Sequence, residues 1–408
     1  MLTKRDGTHL IKSKETKIAG DFLYTLLATA VINVATQIIV FPLITRFYGD
    51  AVAGNILYFI GFIYIIPQAL GTALNNSRLI VRKSCDATNS DFTPAIAVLS
   101  GISALACGII GFLENQSIPF CIAYAVFSVI YMLRMYAQVE FRLQLQFKAY
   151  FYYYCIIAAG YVVGFFLYLL TNIWLLIFIV GEVAALVWSV AKGTVFQRTP
   201  RTNSRALITK TVTTVFLSTI VRDCVNQFDK VILKQAINVD VVTQYHVVSL
   251  IAKTIQMLVQ PVNTLILSYL TVKNATLSRK TLVKFTVASL GVGAVAYIGC
   301  IIGTPIFVKL FYPDLYGAVI PYNITVNLGL IIGFIASMFM SILLSQEKTV
   351  LHMTIQCVWG LCYIAAAYFF IAKLGLWGLI WVTLAANSIK LIVAILCVFL
   401  SKKNTSDT

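Results

Sequence analysis

The chain has 408 residues, of which 60% are hydrophobic and 11% charged, with a mean hydropathy of +0.88. Soluble domains carry about a quarter charged residues, so a soluble fold is excluded. The 31 Lys and Arg outnumber the 15 Asp and Glu for a formal charge of +16, an excess read as the positive-inside signature of a membrane protein rather than as a nucleic-acid footprint.

A helical span needs roughly 20 apolar residues. By that rule the sequence predicts about twelve spans: 21–45, 51–76, 94–113, 117–137, 150–170, 173–192, 207–229, 241–270, 282–304, 318–345, 350–372 and 375–400. The first follows a basic segment, has no small-residue cleavage site after it and is too long for a signal peptide, so it is read as an uncleaved helix. Pro42, Pro67 and Pro261 fall inside spans and predict kinks. With the N-terminus inside, the basic loop residues divide roughly four to one in favour of the cytoplasmic side, which predicts both termini there.

The longest inner connection in mid-chain is polar and basic. It predicts a cytoplasmic N-terminal segment 1–20, a six-helix lobe 21–192, a linker 193–206, a second six-helix lobe 207–400 and a tail 401–408. The first two spans of each half carry polar seams, a weak repeat that matches a common transporter plan.

Those seams are the main functional signal. Asp21, Thr25, Thr29, Asn33 and Gln37 fall four apart, as do Thr214, Ser218, Arg222, Asn226 and Lys230. His246, Ser249, Lys253, Gln256, Gln260 and Asn263 alternate three and four apart, and Tyr58, Gly61, Tyr64, Gln68, Thr72 and Asn75 form a looser fourth seam. Such spacing lines one helix face. A polar face at membrane depth is tolerated only against protein or a water-filled cavity, so the chain is expected to surround a polar, partly cationic cavity.

Lys253 lies roughly 13 residues, about 20 Å, into its span. It is either an anion-binding cation or the partner of a buried carboxylate such as Glu182. Arg222 suits bidentate phosphate binding, or is neutralised by Asp223 or Asp229. Arg46 and Arg78, near opposite faces, either anchor at the interface or point into the cavity mouth. Glu182 and Lys390 lie in apolar spans, with no second polar seam aimed at either; Glu182, Asp21 and Asp229 are the coupling-ion candidates. Asn33, Gln37, Gln68, Asn226 and Gln256 supply amide partners for a polar substrate. The nine cysteines and three histidines show neither metal-ligand nor disulfide spacing, so no metal or cofactor is expected. GxSxG, P-loop and HExxH patterns are absent, which argues against a hydrolase or an NTPase.

Phe41-Pro42-Leu43-Ile44-Thr45-Arg46-Phe47-Tyr48-Gly49, with Ala53-Gly54-Asn55 shortly after, resembles the opening of bacterial polysaccharide-unit flippases. Asn226-Gln227-Phe228-Asp229-Lys230 resembles the start of that family's second half. Val239 to Tyr245 is similar to its V-G-x-Y turn, with Thr243 where the family carries glycine, and Phe307 to Tyr316 is similar to its outer loop before the tenth span. The resemblance runs along nearly the whole chain. It implies an all-α, MATE-like membrane fold with two lobes around a V-shaped cavity lined by helices 1, 2, 7 and 8. It also implies that an undecaprenyl-diphosphate-linked O-antigen or capsule unit is flipped across the bacterial inner membrane. Further partners are then membrane lipids, a polysaccharide polymerase and a chain-length regulator, with no nucleic acid. A MATE-type exporter of cationic drugs is the first alternative, and wants acids where this cavity offers Asp21 and Glu182. A glycan polymerase is the second, and wants a large outer loop that this chain lacks.

Overall fold

The structure, a computed structural model, describes residues 20–21, 23–81, 87–200, 202, 205–272, 279–345 and 349–400; within these, the side chains of 218, 258–272, 344–345 and 349–350 are not described. Every regular element among the described residues is helical. In chain order these are α1 (Leu23–Tyr48), α2 (Asp50–Ile63), α3 (Ile66–Val81), α4 (Asn89–Leu113), α5 (Ile118–Ala137), α6 (Val139–Leu143), α7 (Phe147–Thr171) and α8 (Leu175–Lys192). Then follow α9 (Arg205–Ala236), α10 (Val239–Val272), α11 (Arg279–Phe311), α12 (Asn323–Ser345), α13 (Thr349–Leu374) and α14 (Leu376–Leu400).

Among the described residues, ten stretches are long and apolar enough to cross a membrane, α2 and α3 together forming one of them. Helices α9 and α10, of 32 and 34 residues, are long enough as well. Side chains such as Leu105 at 68% exposure and Val295 at 73% face outward from α4 and α11. Exposed apolar surface on this scale is what lipid covers.

Two of the expected proline irregularities are present. Before Pro42, α1 loosens into a π-helical stretch, Val34–Val40, where Thr36 Oγ1 donates to the Ile32 carbonyl at 2.8 Å. Such bulges accommodate a backbone disturbance without ending the helix. Before Pro67, the chain breaks at Tyr64 and Ile65 between α2 and α3, because proline lacks the N–H and its ring crowds the preceding turn. Pro261 lies among the side chains that are not described.

The chain forms two compact units, residues 1–43 with 59–227 and residues 44–58 with 228–408. In the first, α7 and α8 meet through Gly160 and Gly181, where a Cβ on Gly160 would stand 2.3 Å from the Gly181 Cα. Close backbone approach through small residues is how membrane helices associate without a hydrophobic drive. The linker that follows α8 folds onto the same unit. Glu140 Oε1 accepts from the Thr194 backbone at 2.6 Å and its hydroxyl at 2.9 Å, and Oε2 from the Val195 N–H at 3.2 Å. Asp91 caps α4 through Thr88 and also accepts from Thr202 N–H and Oγ1, each at 2.8 Å. In the second unit α14 packs on α12, with Asn387 Nδ2 donating to the Gly329 carbonyl at 2.9 Å.

Candidate functional site

The first unit holds Asp21, Asn33, Gln37, Gln68, Arg78, Glu182, Arg222 and Asn226; the second holds Arg46, Asp229, Lys253 and Gln256. The α1 seam is half-buried through Thr25, Thr29, Asn33 and Gln37. Its threonines donate to their own helix, Thr25 Oγ1 to the Asp21 carbonyl at 2.9 Å and Thr29 Oγ1 to the Thr25 carbonyl at 3.2 Å. They therefore present acceptor lone pairs along the seam.

The seam on α3 is tied to its neighbours. Gln68 Oε1 accepts from Tyr131 at 3.0 Å. Buried Asn75 donates to the Met135 carbonyl at 3.0 Å. The Arg78 guanidinium donates to Tyr136 at 2.9 Å and to Asn89, and lies over Phe92 with 5.2 Å to the ring centroid.

Glu182 is fully buried. Arg134 grips it with two bonds, one of them Nη2 to Oε1 at 3.0 Å, and Tyr161 donates a third. Arg134 also lies 4.6 Å from the Tyr131 ring centroid. It is a buried residue in the last turn of α5. The sequence signal was its spacing with Tyr131 and Gln138, three and four residues away on one face.

Lys253 does not pair with Glu182. Its ammonium meets Asp229, and it sits 5.1 Å from the Tyr245 ring centroid. Lys230, at 9% exposure, and His246 are buried on the same two helices. Arg222 donates Nε to Asp223 at 3.0 Å with its side chain 59% exposed. Arg46 and Asn226 are exposed, and Gln256 is half-buried. Ser218, Gln260 and Asn263 lie outside the described side chains. Lys390 donates to Gln356 Oε1 at 2.8 Å beneath the Trp359 ring, 3.8 Å from its centroid. No group of three or more His, Cys, Asp or Glu able to hold a metal occurs among the described residues.

The chain has the fold of MATE transporters. It superposes on an inward-facing multidrug resistance MATE family transporter of the MOP superfamily with a TM-score of 0.70 at 14% identity, covering 95% of this chain and 96% of that one. A MATE in the bent conformation gives 0.64 at 14% identity with 97% of each chain covered. An outward-facing multidrug resistance MATE family transporter gives 0.61 at 16% identity with 96% of each chain covered. No protein-family model matches the sequence. No curated protein matches it either.

Proposed function

We propose that this protein is a transporter that flips an undecaprenyl-diphosphate-linked oligosaccharide, an O-antigen or capsule unit, from the cytoplasmic to the outer leaflet of a bacterial inner membrane by alternating access. One observation supports the reading: two of the three mid-helix carboxylates are held by cations, Glu182 by Arg134 and Asp229 by Lys253, while Asp223 takes one bond from Arg222 and keeps one buried oxygen without a partner among the described residues. A cationic drug needs a carboxylate free to receive it, whereas a diphosphate needs fixed cations and amide donors in a medium of low dielectric.

On this reading Lys253, Arg222 and Arg46 supply positive field, and Asn33, Gln37, Gln68, Asn226 and Gln256 meet sugar hydroxyls. Arg78 contributes charge from its locked position. Asp21, which sits in no ion pair among the described residues, is the coupling candidate that the pairing leaves open, ahead of Glu182 and Asp229. On the same reading both termini lie in the cytoplasm, the linker 193–206 separates two six-helix lobes in sequence, and a polymerase and chain-length regulator act on the product.

The second reading, a MATE-type drug antiporter, is favoured by the multidrug resistance transporters among the structural neighbours. A strain lacking the gene separates the two. Lipid-linked repeat units are labelled on intact spheroplasts with a membrane-impermeant sugar-modifying reagent. Units confined to the cytoplasmic face support the flippase. Single units at the outer face indicate a later step such as polymerisation. Normal polysaccharide together with raised drug sensitivity supports the antiporter.

A further inference from the structure

Arg142 is a cation of a different kind from those above. It sits on α6, the short helix that joins α5 to α7, and its side chain is exposed. Nη1 makes both of its hydrogen bonds, to Asn75 Oδ1 at 2.7 Å and to Asn76 Oδ1 at 3.0 Å. Both acceptors are neutral. Asn75 is 1% exposed and its amide nitrogen is committed to the Met135 carbonyl, so its oxygen is fixed toward the guanidinium. Nε and Nη2 have no protein partner among the described residues. That pair forms the edge with two parallel N–H donors, the one that fits two oxygens of a phosphate or carboxylate.

The acid nearest in sequence is committed elsewhere. Glu140, two residues earlier, spends Oε1 on Thr194 and on Gln144 at 3.1 Å, and Oε2 on Val195. Eight residues after the arginine, Tyr150 is half-buried at the start of α7. Its ring packs on Tyr154 with 4.9 Å between centroids, and Tyr154 donates to Gln138 at 2.8 Å. Aromatic faces next to amide groups suit the apolar and hydroxyl faces of a sugar.

We propose that Arg142, oriented by Asn75 and Asn76, is a phosphate-binding subsite at the linker end of the first unit, where the diphosphate head of the lipid-linked glycan first docks with Tyr150 and Tyr154 beside its sugars. The inference rests on the flippase reading and adds an entry site to it. The site is polar and pre-oriented before any ligand arrives, which lowers the ordering cost of binding.

The test is equilibrium binding to the purified full chain in detergent, with farnesyl diphosphate and inorganic pyrophosphate as probes. Arg142→Ala is expected to weaken farnesyl diphosphate binding about 10- to 100-fold. Arg142→Lys restores only part of it, because an ammonium lacks the fork, and Asn76→Ala gives a smaller loss. Tighter binding of farnesyl diphosphate than of pyrophosphate assigns the subsite to a lipid-linked head; equal binding assigns it to a soluble phosphate. If Arg142 merely ties α6 to α3, Arg142→Ala lowers thermal stability and leaves affinity unchanged, which overturns the inference while leaving the flippase reading intact. A wild-type protein that binds neither probe overturns both.

Discussion

The pair Arg134–Glu182 makes the sharpest test of how charge is held in this protein. Both side chains are buried, joined by two hydrogen bonds and supported by Tyr161. Two unit charges about 3 Å apart attract by about 5 kcal/mol at an effective dielectric of 20. The hydroxyl bond to a charged acceptor adds on the order of 1.5–3 kcal/mol. Desolvation of both ions offsets much of this. Removing one partner leaves the other buried and unpaired, and on that ground Glu182→Ala or Arg134→Ala alone should cost about 3–5 kcal/mol. Replacing both with apolar residues, Arg134→Met with Glu182→Leu, should recover most of the loss. The assay is reversible unfolding of the four proteins in detergent, treated as a double-mutant cycle. Single variants as stable as wild type, or a double variant whose loss equals the sum of the two, would refute the assignment of a structural ion pair. It would also return Glu182 to the front of the coupling candidates, since a carboxylate that is dispensable for stability is available for proton traffic.

The other expectations concern separate parts of the chain. Lys253→Ala and Lys253→Glu should abolish glycan export while membrane expression stays normal, and full activity in both would remove Lys253 from the substrate path. Asp229→Asn, which frees the Lys253 ammonium, should preserve or raise affinity for farnesyl diphosphate, and a clear loss would mean that the carboxylate itself is used. Glu140→Ala removes three linker hydrogen bonds and should expose 194–200 to limited proteolysis, with an unchanged cleavage pattern as the opposing result. Gly160→Leu should block the α7–α8 approach and abolish folded protein in gel filtration, because the nearest atoms are backbone and have no room to move.

The helices were legible because each needs a run of apolar residues long enough to cross hydrocarbon, and that requirement leaves a mark in every span from α1 to α14. Pro42 and Pro67 likewise declared their irregularities, since a missing N–H must be accommodated locally. The seams were visible for the same reason, as the helix period puts Gln68 and Asn75 on one face. Which charge meets which was not legible. Arg134 lies three residues from the end of its helix and reads as a loop cation. Its partner stands 48 positions later on a different helix, and nothing in either neighbourhood announces the pairing. Lys253 and Asp229 are 24 apart with equally plausible rivals on each side. Helix rotation and crossing angle decide these contacts, and they depend on small residues such as Gly160 and Gly181 that carry no charge information. Arg142 escaped attention because an arginine beside the membrane usually marks orientation alone.

The division between structural and available charge bears directly on substrate class. Burying an ion in a membrane protein is costly, so such ions persist where they are paired or used. Arg134 and Tyr161 together satisfy Glu182, and Arg78 donates to Tyr136 and Asn89. Arg142 is held in place by neutral oxygens with one edge open, and Arg222 is 59% exposed with a single bond to Asp223. Arg142 and Arg222 thus keep N–H groups open, whereas Glu182 and Asp229 are paired and Asp223 retains one buried oxygen without a partner among the described residues. A carrier of cationic drugs requires the reverse arrangement, with the acids open and the bases closed. The MATE fold permits either cargo, because a fold does not fix the site it carries. On the proposed reading, it is the pairing of the individual side chains that favours an anionic head group.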